Sequence, residues 1–317
     1  MKKQIAWGAS KLLKLFLRDN PDAATRFSYC IDSFAKVSSV AGIPILRPEA
    51  LSAEGREDFE ITIFAVSSVA LQDITASLGR AGLQYRRDFY YYSDLFKSAF
   101  QDRVQKKLGF RPESRLYEVA LSYTLSSAIP VHTTIPGTWL LLELLKQLDA
   151  TDGAIAEVGA YRGGNALAAL SFLNQQRPKT YYLFDSFEGF PDLSEFDPRS
   201  FSRGDYAVGV SYQEICNCFE VFEAARVIKG FVPGTFSTLP PHERFSLVFY
   251  DCDLYQPALD TYAYFWDRLV PGGYLVIHDY EAEEGGFMGV KKATDEFFAS
   301  RGHVDTFYEN TMAIIRK

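Results

Sequence analysis

The sequence predicts an α/β protein with two domains, each built on a mostly parallel sheet. Two series of strand-like apolar runs alternate with amphipathic helical stretches, which is typical of parallel sheets covered by helices. In each series a glycine-containing turn follows the first strand, at residues 8–10 and 159–164. The length of 317 residues also favours two domains, because single cores seldom grow beyond about 250–300 residues. We expect a smaller domain over residues 1–97, a helical linker over 98–125 and a second domain over 126–317.

The first series predicts a small Rossmann-like α/β domain. Its expected helices are Lys11–Arg18 and Val69–Ala81. Its expected strands lie at residues 4–10, Phe27–Ile31, Ile43–Leu46, Phe59–Ala65 and within Gln84–Tyr92.

The loop after the first strand of this domain is a degenerate nucleotide-binding loop. Gly8 and Asp32, about 24 residues apart, lie where a dinucleotide fingerprint would place them. Ser10 and Leu13 stand in place of the second and third glycines. This favours a structural, oligomerisation or partner-binding role over a nicotinamide site. The phrase GIPIL-x-PEAL at residues 42–51 loosely resembles small nucleotide-fold domains attached to sugar-modifying enzymes.

The second series predicts a seven-stranded, mostly parallel sheet. The expected strands are Ala154–Val158, Thr180–Phe184, Ala225–Ile228, Ser246–Tyr250, Tyr274–Ile277, Val304–Tyr308 and Met312–Ile315. The expected helices are Thr138–Leu148, Ala166–Leu173, Tyr212–Phe222, Pro257–Leu269 and Gly289–Ala299. The segment Pro271-Gly272-Gly273 predicts a turn before the fifth strand.

Composition excludes several function classes. The net charge of −7 and the lack of a basic run argue against nucleic acid, whose binding depends on phosphate contacts. No run of about 18 apolar residues predicts a membrane span, and the first residues lack a signal-like apolar block. The four cysteines lack zinc-site spacing, so we expect reduced thiols and a cytoplasmic location.

The turn at the start of the second domain indicates a ligand site. Residues 154–165, AIAEVGAYRGGN, combine a strand, a glycine-rich turn and a helix N-terminus with unpaired N–H groups. This favours a nucleotide or S-adenosylmethionine over a plain α/β crossover.

Two acidic residues refine that choice. Asp185, at the end of the second strand, is placed to accept hydrogen bonds from ribose hydroxyls; the alternative is a helix cap. Glu157 lies within the first strand, where an unpaired carboxylate is costly. A ligand with an ammonium and a sulfonium would satisfy it, which favours S-adenosylmethionine over NAD; the alternative is an edge position open to water.

Further acidic residues follow the fourth and fifth strands. Asp251 and Asp253 belong to the sequence DCDLY, and His278 and Asp279 to the sequence VPGGYLVIHDY. In the usual sheet order these strand ends are adjacent. Carboxylates converging there could hold a divalent cation or accept a proton from a substrate hydroxyl.

The ordered set EVGAYRGGNA, FDSFEGFP, DCDLYQPALD and PGGYLVIHDY resembles the macrocin-type sugar O-methyltransferases, over about residues 120–317. The resemblance implies a class I S-adenosylmethionine-dependent fold, a small-molecule or glycan acceptor, self-association and a divalent metal, Mg²⁺ first and Mn²⁺ as the alternative. It implies Asp251 and Asp279 as metal ligands and Asp253 as general base. His278 stands where the family usually has Asp, so it is a candidate ligand or base, and the alternative is that it only packs. The implied cofactor-binding residues are Glu157, Gly159, Tyr161, Arg162, Gly163, Asp185, Ser186 and Asp251.

Two other functions fit the pattern less well. One is a non-catalytic sugar-nucleotide or partner-binding protein built on two Rossmann-like units. The other is an NAD-dependent oxidoreductase that uses the first domain, which the degenerate Gly8 loop argues against.

Overall fold

The computed structural model describes residues 2–207, 209, 211–280, 288–301, 306–309 and 312–317. It divides the chain into two compact units. The N-terminal unit comprises Met1–Arg103 and Leu121–Ile135, and the C-terminal unit comprises Val104–Ala120 and Pro136–Lys317. Two helices of the predicted linker region, Tyr92–Leu108 and Ser114–Ser126, each contribute residues to both units. The domain limits expected from the sequence stay a prediction.

The described part of the N-terminal unit contains a six-stranded sheet in the order β3-β4-β2-β1-β5-β6. The strands are β1 Lys3–Trp7, β2 Phe27–Ile31, β3 Ser39–Val40, β4 Ile43–Leu46, β5 Phe59–Ile63 and β6 Phe89–Tyr91. The helices are α1 Lys11–Asp19, α2 Ser68–Arg80, α3 Tyr92–Leu108 and α4 Ser114–Ser126. All neighbouring strands are parallel except β3 and β4.

The described part of the C-terminal unit contains a seven-stranded sheet in the order β12-β13-β11-β10-β7-β8-β9. The strands are β7 Ala154–Val158, β8 Tyr181–Asp185, β9 Ala225–Lys229, β10 Phe245–Tyr250, β11 Leu269–Ile277, β12 Thr306–Glu309 and β13 Met312–Arg316. The helices are α5 Ile135–Gln147, α6 Gly164–Leu173, α7 Tyr212–Phe219, α8 Tyr255–Phe265 and α9 Met288–Ala299. Strand β13 runs antiparallel to both of its neighbours, and the other pairs are parallel.

Strand β7 lies in the middle of this sheet, between β10 and β8, and all five of its residues are buried. Side chains alternate between the faces of a strand. Ala154, Ala156 and Val158 therefore share one face, and they pack in a core with Tyr262 and Phe265 of α8. Ile155 and Glu157 point to the other face. The centre of the sheet thus positions a buried carboxylate close to the glycine turn.

The helices predicted over Tyr212–Phe222 and Pro257–Leu269 end earlier, at Phe219 and Phe265. Two details of the sheet also differ from the sequence prediction. Pro271-Gly272-Gly273 is not a turn before a strand but a bulge within β11: Phe245 pairs with Leu269, and Leu247 pairs with Tyr274. Gly272 has φ +82°, so the bulge keeps the turn-like backbone that the glycines favour. For the predicted strand Val304–Tyr308, residues 304 and 305 lie outside the described residues, and β12 spans Thr306–Glu309.

Among the helices that the structure describes, none is both long enough and apolar enough to cross a membrane.

Candidate active site at the end of the C-terminal sheet

The turn after β7 depends on a glycine that touches the next strand. Gly159 has φ +95°, and a Cβ at this position would lie 2.2 Å from the carbonyl oxygen of Asp251. The N–H groups of Gly159 and Ala160 both donate to the carbonyl of Phe184, at 2.9 and 3.1 Å. The turn is therefore fixed between the ends of β10 and β8. Any residue larger than glycine at position 159 would have to push the two strand ends apart.

The turn leads directly into α6. Gly163 has φ +79° and is the N-cap of this helix, without a side chain to cap it. The first N–H groups of a helix have no partner within the helix and favour an anion or another acceptor. The N-terminus of α6 therefore lies directly beyond the turn.

Asp185 connects the turn to the end of β8. Its Oδ2 accepts from the N–H of Tyr161 and its Oδ1 from the N–H of Phe187, each at 2.7 Å. Burial raises the pKa of this carboxyl, and the two backbone donors oppose that shift. The helix-cap alternative is wrong, because the next helix begins at Tyr212 and is capped by Ser211. A ribose-binding role for Asp185 stays a prediction.

Ser186 shapes the turn that follows. Its hydroxyl donates to the carbonyl of Gly189 at 2.8 Å and accepts from the N–H of Glu188 at 3.1 Å. Its hydroxyl is thus engaged by the backbone of its own loop, and contact with a cofactor stays a prediction.

Glu157 is a buried carboxyl with one hydrogen-bond donor. Its side chain is 1% exposed, and the hydroxyl of Tyr181 donates to its Oε2 at 2.7 Å. Burial raises the pKa of Glu157 to about 8, against the opposing effect of that hydrogen bond. The edge-position alternative is wrong, since β7 is flanked on both sides. A buried group of this kind is typical of a site where a cation binds.

Arg162 offers an unused donor beside the turn. Its guanidinium lies 5.5 Å from the ring centre of Tyr161, and its Nε is buried without a hydrogen-bond partner among the described residues. A buried donor without a partner is costly. The position therefore fits a ligand group that accepts hydrogen bonds, such as a carboxylate.

Three side chains at the ends of β10 and β11 converge. The Nδ1 of His278 lies 2.9 Å from Oδ1 of Asp251 and 2.7 Å from Oδ2 of Asp279. Because β10 and β11 are parallel neighbours, their carboxyl ends bring these groups together, as the sequence predicts. Burial disfavours a charged imidazole, but the two carboxylates outweigh it and raise the pKa of His278.

Asp253 lies beside this cluster and has a different environment. Its Oδ1 is buried and has no hydrogen-bond partner among the described residues. Burial, followed by the charges of Asp279 and Asp251, raises its pKa well above the usual value. Its backbone has φ +63°, a conformation that is uncommon outside glycine. The role of general base for Asp253 stays a prediction.

Sequence reasoning missed an aromatic cluster in the loop between β8 and α7. Tyr206 contacts Phe190, Phe201 and Tyr161, with ring centres 5.0, 6.3 and 5.9 Å apart. Burial, and then the charge of Asp253, raises the pKa of Tyr206 to about 12. The only signal in the sequence was the aromatic content of residues 187–206, which ordinary core packing explains equally well.

The fold and the site together define a class. A seven-stranded sheet whose last strand is reversed, with a glycine turn after its central strand, is the class I methyltransferase fold. The solved structure of the O-methyltransferase NovP shares this fold with a TM-score of 0.51 at 20% identity, covering 71% of this chain and 99% of that chain.

The family follows from the sequence match. The model of the macrocin-O-methyltransferase (TylF) family matches residues 143–309, just over half of the chain, and the protein belongs to this family. It is 29% identical over 138 residues to demethyldecarbamoylnovobiocin O-methyltransferase of Streptomyces niveus, covering 40% of this chain and 53% of that protein. It is 30% identical over 144 residues to mycinamicin III 3''-O-methyltransferase of Micromonospora griseorubida, covering 42% and 57%. The matches thus span about half the length of these curated relatives.

Proposed function

We propose that the C-terminal unit transfers a methyl group from S-adenosylmethionine to a hydroxyl of a sugar or glycosylated small molecule. The observation that carries this proposal is the contact between Gly159 and the backbone of Asp251, which joins the cofactor turn to the acidic strand ends. The two relatives named above are, by their names, O-methyltransferases of demethyldecarbamoylnovobiocin and of mycinamicin III. They support an acceptor of the same chemical kind.

The cofactor would be held by groups of opposite charge. Glu157 supplies a carboxylate for the ammonium of the methionine part, and Arg162 supplies donors for its carboxylate. Asp185 has acceptor capacity left for ribose hydroxyls, because a carboxylate offers about four lone-pair positions and the backbone uses two. Gly159 and Gly163 shape the turn that would hold the methionine part, because their missing side chains leave room for the backbone of Asp251 and the ring of Phe219.

A divalent metal fits the cluster of Asp251, His278 and Asp279. One ligand atom from each residue lies within 4.8 Å of the others. This set of two carboxylate oxygens and one imidazole nitrogen suits Mn²⁺ better than Mg²⁺, which prefers oxygen ligands. When bound, such an ion would lower the pKa of the acceptor hydroxyl.

The transfer itself is a displacement. The acceptor oxygen forms a bond to the methyl carbon while the carbon–sulfur bond breaks, and S-adenosylhomocysteine leaves. Asp253 accepts the hydroxyl proton, since its Oδ1 is buried beside the cluster without a hydrogen-bond partner among the described residues. His278 is the weaker candidate for base because its Nδ1 already lies between two carboxylates. Alignment of the reacting atoms supplies much of the rate.

Product formation tests this proposal. The full chain is incubated with methyl-labelled S-adenosylmethionine, Mn²⁺ or Mg²⁺, and a panel of glycosides and free sugars. We expect label on a sugar hydroxyl of at least one glycoside. Binding of S-adenosylmethionine without any methylated product across the panel would favour the non-catalytic alternative, and no binding at all would contradict the cofactor assignment.

We also propose a cytoplasmic location and self-association. All four cysteines are free, which suits a reducing compartment. The oligomeric state is tested by sedimentation, where a mass of one chain would contradict self-association.

A further inference from the structure

A cavity of about 910 Å³ lies in the N-terminal unit, beside the degenerate glycine loop. One wall is α1 with the short helical turn that follows it, and the other is the segment of residues 32–41. Its volume is in the range of small-molecule sites. The proposed methyltransferase function does not use this cavity.

Positive charge is concentrated on both walls. Lys14 and Arg18 lie four residues apart on α1, and Lys36 lies on the opposite segment. Asp32 is the only acid among the described residues that line the cavity, and it accepts hydrogen bonds from the N–H groups of Ala9, Phe34 and Ala35. The positive side chains of Lys14, Arg18 and Lys36 therefore favour a ligand with several negative charges.

The cavity also has an apolar part. Leu17 and Val40 are buried in its floor, and Phe34 and Val37 stand at its rim with 90% and 63% of their surfaces exposed. The tripeptide Asp-Ser-Phe of residues 32–34 recurs at residues 185–187, so Phe187 is the equivalent of Phe34 in the C-terminal unit. Phe187 is buried, and its ring contacts Tyr212. An exposed aromatic ring beside a cavity suits stacking by a planar group.

The other side of β1 is closed. The switch point of this sheet, between β1 and β5, is where an open α/β sheet commonly binds ligands. There Phe64 is fully buried, and its ring packs against those of Phe16, Phe27 and Tyr92. Leu13, in the place of the third glycine, is also fully buried. At the carboxyl end of β1, the described residues therefore leave room for a ligand on the Asp32 side.

We propose that this cavity binds a nucleoside diphosphate group, free or carrying a sugar. The phosphates would lie between Lys14, Arg18 and Lys36, and the base would stack on Phe34. Asp32, at the end of β2, lines the cavity and would accept hydrogen bonds from the ribose hydroxyls. The proposal is independent of the methyltransferase function.

Calorimetry on the full chain tests it, with ADP and UDP as probes at low ionic strength. Saturating S-adenosylhomocysteine is present so that the C-terminal unit cannot take the nucleotide. We expect binding that weakens about tenfold in Lys14→Ala and in Lys36→Ala, since each removes a charge-assisted contact. Lys11→Ala, on the same helix but outside the cavity, is the control and should change affinity by less than about twofold.

Phe34→Ala separates base recognition from charge, and its exposure makes loss of folding unexpected. It should weaken ADP or UDP while leaving inorganic pyrophosphate unchanged. No heat with either nucleotide up to about 2 mM, a concentration that would reveal even millimolar affinity, would overturn the proposal. Equal nucleotide affinities in Lys14→Ala, Lys36→Ala, Phe34→Ala and the control Lys11→Ala would overturn it as well. So would nucleotide binding that is lost when S-adenosylhomocysteine is added.

Discussion

The two glycine loops of this chain, Gly8–Ser10 and Gly159–Gly163, are built by similar bonds, with one more residue between the glycine and the donor to the aspartate in the second loop. In the N-terminal unit, Gly8 N–H donates to Ile31 at 2.8 Å and Ala9 N–H donates to Asp32 at 2.9 Å. In the C-terminal unit, Gly159 N–H donates to Phe184 at 2.9 Å and Tyr161 N–H donates to Asp185 at 2.7 Å. Even the tripeptide Asp-Ser-Phe recurs, at residues 32–34 and 185–187.

The units differ at the neighbouring strand ends. Residue 251 follows β10 as residue 64 follows β5, and each donates its N–H to the strand beside it at 2.8 Å. The C-terminal unit has Asp251 and His278 at positions where the N-terminal unit has Phe64 and Tyr92. Asp251 and His278 form a polar pair, with Oδ1 and Nδ1 2.9 Å apart. Phe64 and Tyr92 form a packed pair of rings, with ring centres 6.1 Å apart. The loop by itself therefore gives only the backbone geometry of a ligand site. The side chains at the adjacent strand ends determine whether a reaction can take place there.

The carboxylates that distinguish the C-terminal unit should give the largest effect. Asp253→Asn keeps the side-chain shape and removes the proton acceptor. We expect single-turnover methyl transfer to slow by about 10²–10⁴-fold, with S-adenosylmethionine affinity little changed. Asp73→Asn, an exposed acid on α2, is the control. Methyl transfer at the wild-type rate in Asp253→Asn would exclude this residue as the base.

The two loop glycines test how tightly each loop meets its neighbouring strand. A Cβ at Gly159 would lie 2.2 Å from a backbone oxygen, whereas one at Gly8 would lie 3.2 Å from the nearest backbone atom. We expect Gly159→Ala to destabilise its unit by about 3 kcal/mol and Gly8→Ala by about 1 kcal/mol. Hydrogen exchange of β7 and β1 measures each unit separately. Equal losses would mean that the closer contact is relieved by a small backbone shift.

The raised pKa of Glu157 predicts that binding of S-adenosylmethionine depends on pH, a dependence that the loop of the N-terminal unit lacks. Its pKa of about 8 means that it is mostly protonated at pH 6 to 7. A ligand ammonium needs the carboxylate, so affinity for S-adenosylmethionine should rise up to about tenfold per pH unit below 8 and level off above it. Because the folded state holds this proton and the unfolded chain does not, the unfolding free energy should fall as pH rises from about 4.5 to 8.

Glu157→Gln is the matched variant for that experiment. Its calorimetric affinity should be lower and its dependence on pH nearly flat over the same range. A wild-type affinity that does not change between pH 6 and 8 would mean that Glu157 does not meet the charged part of the cofactor.

His278 should give the smallest effect, a change of metal preference. Replacing its imidazole by a carboxylate completes an all-oxygen ligand set. After chelation and readdition of metal, the activity ratio of Mg²⁺ to Mn²⁺ should rise about tenfold in His278→Asp relative to the wild type. Activity that survives chelation in both proteins would exclude a metal role for this cluster.

The sequence predicted those parts of the molecule that depend on short-range patterns. The bounds expected for β2, β4 and β7 are the bounds observed, because each is an apolar run closed by a polar or glycine residue. The meeting of Asp251 with His278 and Asp279 was also predictable, since parallel neighbouring strands end at one edge.

Other features depend on contacts between distant segments and left no comparable signal. The two-residue strand β3 is too short to show a periodicity. The bulge at Gly272 arises from the register of β11 against β10. The approach of Tyr206 to Tyr161 depends on the path of a long loop. The buried Nε of Arg162 could likewise be recognised only once the surrounding loops were in position.

The missing side chain of Gly159 has a practical consequence for redesign. Because the backbone of Gly159 lies directly against that of Asp251, the turn after β7 and the cluster of Asp251, His278 and Asp279 form one structural block. The segment between β8 and α7, which carries Phe190 and Tyr206, is connected to this block at two places. Tyr206 contacts the ring of Tyr161, and Asp197 accepts a hydrogen bond from the N–H of Tyr255 at 2.7 Å. A graft of that segment from other family members should therefore keep partners for Tyr161 and Tyr255 if the geometry of the site is to be retained.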